Sequence, residues 1–115
     1  MSESEKYNGW TNYETWCVNL WLTNEQGSDE YWRENAREAW ENAADHPSYL
    51  TRSEKARHAL ADMLKDQVSD SEMCPLLSEA SMYSDLLGAA LSEVDWYEIA
   101  NAFLEGVEDY EYAKD

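Results

Sequence analysis

The sequence predicts an all-α fold, a compact single-domain bundle of four to six helices. Three observations carry that expectation. Apolar residues recur at helical spacing in segment after segment, capping combinations precede those segments, and no stretch alternates strictly as a half-buried strand does. A chain of 115 residues is long enough for one modest core. Six Trp, eight Tyr and one Phe are more than disordered acidic chains usually carry. The whole of 1–115 reads as one acidic helical domain, with 1–9 and 107–115 as flexible ends.

The elements follow in order. Thr11 and Glu14 have the spacing of a capping box. Behind them Tyr13, Trp16, Cys17, Leu20 and Trp21 fall on one helical face, which predicts the buried side of a first helix. Gln26-Gly27-Ser28 ends that helix, and Ser28 is the expected cap of the next. Tyr31 or Trp32, then Ala36, Ala39, Trp40 and Ala43, make a small-plus-aromatic stripe that stops at His46-Pro47.

A third helix starts near Thr51 or Ser53, where Thr51 and Glu54 repeat the capping-box spacing. Its apolar face is Ala56, Ala59, Leu60, Met63 and Leu64. After a polar break from Ser69 to Glu72, Pro75 suits the first turn of a fourth helix. That helix runs through Leu91, with Leu76, Leu77, Ala80, Tyr83, Leu87 and Ala90 apolar and a break near Ser81 to Ser84. Ser92 and Asp95 predict a cap before Trp96, Ile99, Ala100, Phe103 and Leu104, and Gly106 is the expected stop.

Charge is distributed unevenly along this chain. The formal net charge is −17. From Tyr31 to Val68 seven acids meet six bases, whereas from Ser69 to Asp115 twelve acids meet Lys114 alone. Two carboxylates about 6 Å apart in water repel by roughly 0.7 kcal/mol, so such crowding opposes compactness. Halophilic adaptation would acidify the whole surface, and the balanced middle argues against it.

Catalytic and metal signatures are absent. His46 precedes a proline and His58 stands beside Arg57, neither with a partner evident in the sequence. No HExxH, glycine-rich phosphate loop or GxSxG occurs. Two Cys and two His at 17, 46, 58 and 74 lack the paired spacing of structural zinc. The expectation is therefore no enzyme, no cofactor and no metal. Cys17 and Cys74 read as ordinary buried thiols of a cytoplasmic protein. No apolar run reaches the roughly 20 residues of a membrane span. Eight bases against twenty-five acids disfavour direct nucleic-acid binding. Arg52, Lys55, Arg57 and Lys65 are expected to pair locally, as in Glu54–Arg57 and Asp62–Lys65.

The acids themselves are the candidate partner-binding residues: Glu79, Asp85, Glu93, Asp95, Glu98, Glu105, Glu108 and Asp109. Lys and Arg side chains arranged for phosphates also accept carboxylates in charge-assisted hydrogen bonds. Neighbouring acidic helices would present rows of negative charge to a positive DNA-binding groove, steering the encounter. The alternative is a solvated acidic surface that serves only solubility.

The second candidate is Trp10-Thr11-Asn12-Tyr13-Glu14-Thr15-Trp16, preceded by the turn signal Asn8-Gly9. It reads as a structural cap-and-core motif with Trp10, Tyr13, Trp16 and Trp21 clustered. A ligand-binding aromatic pocket, or a surface for a partner peptide or a homodimer, is the other reading.

This run, followed by Asn19-Leu20-Trp21-Leu22-Thr23-Asn24-Glu25, resembles a family of small, largely uncharacterised proteins of phages and other mobile elements. Members of that family open with a similar Asn-Gly-Trp-x-Asn-Tyr-Glu-Thr-Trp segment. They are also similar to this chain at Val94-Asp95-Trp96-Tyr97-Glu98-Ile99-Ala100. The resemblance implies a mobile-element setting and carries no catalytic residues. In that setting, by analogy, an acidic surface is expected to act as an anti-CRISPR or antirestriction DNA mimic. Its partner would be a DNA-binding defence protein or complex in the host cytoplasm, with no direct contact to nucleic acid or membrane.

Overall fold

The computed structural model describes residues 6–44, 50–70, 79–108 and 110. Five helices occur among them: α1 (Tyr13–Asn24), α2 (Gln26–Ala43), α3 (Arg52–Val68), α4 (Met82–Ser92) and α5 (Trp96–Leu104). No strand is present among the described residues. The chain is a single all-α domain.

Helices α2, α3 and α5 form the core because each buries one apolar stripe. Trp32, Ala36, Ala39, Trp40 and Ala43 line α2, and Ala56, Leu60, Ala61 and Leu64 line α3. Trp96, Ile99, Ala100, Phe103 and Leu104 line α5. The alanines of these stripes leave room for four large aromatic side chains, Trp32, Trp40, Trp96 and Phe103, as close packing requires. α3 packs against both α2 and α5, while α1 covers α2 and α5. α4 stands outside: none of its residues is buried, and Leu91 near its C-terminal end packs against the core.

The expected stripes of α2 and α5 are the observed ones, with Trp32 taking the inward position and Tyr31 left exposed. The Tyr31 hydroxyl donates to Gln67 Oε1 across to α3 at 3.0 Å. Thr51 and Glu54 form the capping box of α3, each side chain bonding the other's backbone. Those bonds to the Glu54 carboxylate hold its pKa below the usual value, the Thr51 backbone N–H being the chief cause. On α3, Ala61 is buried where Ala59 was expected, and Ala59 is exposed.

Several expectations are corrected. The N-cap of α1 is Asn12, not Thr11, because Thr11 bonds to a distant part of the chain. The face Tyr13–Trp16–Cys17–Leu20–Trp21 does not point inward. Thr15 is the buried residue of α1, with Val18 and Leu22 packed against the core, while Tyr13 is 52% and Trp21 70% exposed. α1 is apolar nearly all round, so its periodicity fixed no direction. The break between α1 and α2 is at the extended Glu25; Gly27 and Ser28 lie inside α2, which begins without a side-chain cap. α4 begins at Met82, where Ser81 and Ser84 bond reciprocally, and Tyr83 is 63% exposed rather than core-facing. Pro75, Leu76, Leu77, His46, Pro47 and Cys74 lie outside the described residues. Cys17 is half-buried with a free thiol.

The cations take several kinds of partner. The Glu54 carboxylate is turned to its cap with Arg57 close enough to help lower its pKa, and Arg57 Nε donates to the Ser53 carbonyl at 3.3 Å. On α2 Arg33 meets Asp29 and Arg37 meets both Glu34 and Glu41. Arg52 lies over the Trp40 ring at 3.8 Å and donates to the Trp40 carbonyl. Val107 and Tyr110, assigned from sequence to a flexible end, pack against the core. The Tyr110 hydroxyl donates to Asn101 Oδ1 at 2.7 Å.

Leu60→Ala at the fully buried centre of α3 is expected to cost about 2–5 kcal/mol in urea unfolding. Leu86→Ala on α4, 62% exposed, should stay within about 0.5 kcal/mol of wild type. Equal losses would contradict the peripheral position of α4.

Candidate functional site: a clasp between chain ends and an acidic flank

Asn8 and Gly9 both take positive φ, 48° and 89°. That pair of angles makes the mirror-image tight turn that Asn-Gly favours. Tyr7 and Trp10 close it with two reciprocal backbone hydrogen bonds of 2.8 Å. Trp10 is thereby delivered onto the core, and the chain enters α1 beside the loop that joins α4 to α5.

There the N-terminal motif and the segment joining α4 to α5 interlock. The Thr11 N–H donates to Glu98 Oε1 at 2.9 Å, and its hydroxyl donates to Asp95 Oδ2 at 3.4 Å. Asn12 Nδ2 donates to the Glu93 carbonyl at 2.6 Å. Asn12 Oδ1 accepts from both the N–H and the hydroxyl of Thr15, at 2.9 and 2.6 Å. The Thr15 oxygen in turn accepts from the Asp95 N–H at 2.9 Å. Asp95 Oδ1 caps α5 through the Glu98 N–H at 3.1 Å. One hydroxyl thus serves as donor and acceptor at once, with Thr15 wholly buried.

The motif residues therefore divide. Trp10, Thr11 and Asn12 face the clasp. Tyr13 and Trp16 join Tyr7 in an outer aromatic cluster with ring centroids 5.0–5.5 Å apart. The Cys17 thiol beside the Tyr13 hydroxyl raises the phenol's pKa above its ordinary value. Glu14 is half-buried in the first turn of α1. Of the expected aromatic cluster, Trp10 stays at the core while Trp21 stands in solvent.

The acidic candidates divide too. Asp95 and Glu98 are the acceptors of the clasp. Glu79, Asp85, Glu93, Glu105 and Glu108 are exposed, and Asp109 lies outside the described residues. Glu93 and Glu105 are the C-caps of α4 and α5, beside the carbonyl end of each helix, and neither last turn contains a base. Glu98 and Glu105 share a shallow groove of about 280 Å³ with Gly9, Trp10, Asn101 and Ala102. Glu108 lies near Arg37, Glu41 and Arg52, so it borders the region where α2 supplies cations. The exposed carboxylates are spread from Glu79 through α4 and the end of α5 to Glu108 rather than gathered in one tight cluster.

Sequence reasoning missed two exposed apolar strips, Leu20 with Trp21 on α1 and Met82, Tyr83 and Leu86 on α4. The available signal was the apolar character of both sides of α1. Among the described residues no group of three or more His, Cys, Asp or Glu is arranged to hold a metal ion. Among them, too, no helix is long and apolar enough to cross a membrane.

Replacing the Thr15 hydroxyl tests the clasp. Thr15→Val should lose about 1–3 kcal/mol, because the Asp95 N–H is left buried without its acceptor. Thr15→Ser should restore most of that loss. If denaturant midpoints show Thr15→Val as stable as wild type, the clasp is incidental.

The two sequence blocks that carried the resemblance, around Trp10–Trp16 and Val94–Ala100, are thus the two sides of one hydrogen-bonded joint. No curated protein and no solved structure matches the chain. A family described as a family of unknown function (DUF7249) matches residues 3–103. With that match covering most of its length, the chain belongs to the DUF7249 family.

Proposed function

We propose that the protein is a non-enzymatic anti-defence protein that acts as a DNA mimic. Its acidic flank would occupy the DNA-binding groove of a host CRISPR surveillance complex or restriction enzyme. The observation that supports this reading is uncompensated charge. Between Lys65 and Lys114 the chain has no Lys or Arg. Among the described residues, Glu79, Asp85, Glu93, Glu105 and Glu108 take part in no ion pair, whereas three of the five acids of α2, Asp29, Glu34 and Glu41, pair with its own arginines.

Placement strengthens the point. A carboxylate at a helix C-terminus meets the negative end of the dipole, an arrangement unfavourable by about 0.3–1 kcal/mol. Glu93 and Glu105 both sit there. Stability alone would favour Lys at either position. A basic partner groove relieves the repulsion, because its Lys and Arg form charge-assisted bonds to carboxylates as they do to phosphates. Binding of this kind is fast through steering and weakens as salt screens it. Asp95 and Glu98 hold the flank in place from within and are not contact residues in this proposal.

The test replaces Glu79, Asp85, Glu93, Glu105 and Glu108 by Lys. Cells carrying a defined restriction or CRISPR system would express either chain, and phage plating would be scored. Wild type should raise plating and the five-site variant should not, with circular dichroism of the two alike. Protection that survives the five reversals would leave the carboxylates as a solubility surface.

A further inference from the structure

The outward face of α1 points to a different role. We propose that it is a self-association surface, on which a second copy of this chain packs with its own α1 antiparallel. This goes beyond the reading of the acidic flank and does not depend on it.

Area is the first argument. Tyr7 is 40%, Tyr13 52%, Leu20 38% and Trp21 70% exposed, and Trp16 lies half-buried between them. With side chains of about 150–250 Å² each, these four expose on the order of 400 Å² of largely apolar surface. A two-fold pairing doubles that, and the flanking atoms of α1 bring the total near the roughly 1,000 Å² of a specific interface. Trp and Tyr are also the residue types that carry binding energy at interface centres.

Charge decides the occupant. In α1 the single charged residue is Glu14, in the first turn. Elsewhere the chain is so acidic that a second copy is repelled wherever carboxylates face each other. Through α1 it is not, since charges beyond about 8 Å are screened at physiological salt. A basic partner, conversely, finds one carboxylate on this helix, that of Glu14. The least charged helix is therefore the one along which two like-charged chains can meet.

Register decides the orientation. Tyr13, Trp16, Cys17, Leu20 and Trp21 form a seam at the helical three-to-four spacing. Tyr13 and Trp21 are roughly 12 Å apart along the axis. The Tyr7–Tyr13–Trp16 cluster marks one end of the seam and Trp21 the other. A two-fold axis at its middle lays Trp21 of each copy against the aromatic cluster of the other, so both ends are covered in one closed dimer.

Sedimentation velocity across a dilution series tests this. Wild type should show a dimer that dissociates on dilution and is insensitive to added salt. Trp21→Glu and Tyr13→Lys should each weaken self-association at least about thirtyfold, with unchanged circular dichroism. Mixing those two variants should restore a dimer, because the new charges meet on one side of the seam and the native pair on the other. Leu86→Glu on α4 should leave the dimer intact. A wild-type monomer at the highest concentration, a dimer unaffected by Trp21→Glu, or a mixture that stays monomeric overturns the proposal. A monomeric Trp21→Glu chain that still protects phage leaves the DNA-mimic reading standing, so the two can fail separately.

Discussion

Thr15 is a small polar residue in the only wholly buried position of α1, and the rest of the fold is organised around what its hydroxyl does. The Asp95 N–H, just ahead of α5, has no intrahelical acceptor and needs one. Thr15 supplies it at 2.9 Å, while its proton goes to Asn12 Oδ1. Asn12 is thereby fixed as the cap of α1, and its amide reaches the Glu93 carbonyl at the end of α4. A buried hydroxyl with both roles satisfied has one rotational setting. That setting, together with Val18 and Leu22 packed on the core, fixes which side of α1 faces α2 and α5.

The same constraint explains where the sequence was legible. In α3 and α5 the local signals agree: a capping residue, an amphipathic stripe and polar residues behind it. The buried residues of α5 could be read one for one, and on α3 Ala56, Leu60 and Leu64 could be, while Ser53 and Ala61 were missed. In α1 the signals conflict, because aromatic and aliphatic residues occur on both sides. A helix of that kind has no preferred face until a polar anchor chooses one, and here the anchor is contacted by a residue 80 positions away. No local window contains that information. The start of α2 was misread for a related reason, since Gly27 and Ser28 have turn chemistry yet sit in the first helical turn, where backbone N–H groups are free in any case.

Among the acids, composition could be read but assignment could not. The excess after Ser69 is plain in the sequence, yet Asp95 and Glu98 look no different there from Glu93 or Glu105. The distinction is geometric. Asp95 precedes a helix and Glu98 lies in its first turn, where backbone N–H groups attract carboxylates, and the N-terminal motif supplies further donors. Glu93 and Glu105 occupy the opposite ends of α4 and α5, where the helix repels them. Two acids are held by the fold and two are held against it. An excess of acid confined to one end of a chain acquires meaning only once those cases are separated.

This separation bears on how a chain with net charge −17 can assemble at all. Its cations are concentrated on α2 and α3, several of them on local work: Arg33 and Arg37 on carboxylates of their own helix, Arg52 on Trp40. Outward carboxylates on and around α4 and α5 include Asp85, Glu93 and Glu105, and α1 presents an aromatic face with few charges. Like-charged molecules approach one another most easily along the uncharged face, and oppositely charged ones along the acidic flank. The two surfaces lie on different elements, and α1 packs chiefly against α2 and α5. Occupying one therefore need not cover the other. The clasp joins them mechanically, since the bonds that turn Trp21 outward also fix the Glu93–Asp95 segment from which the acidic helices extend. Loosening Asn12 or Thr15 would disturb both faces together, whereas a change at Trp21 or at Glu105 would reach one alone.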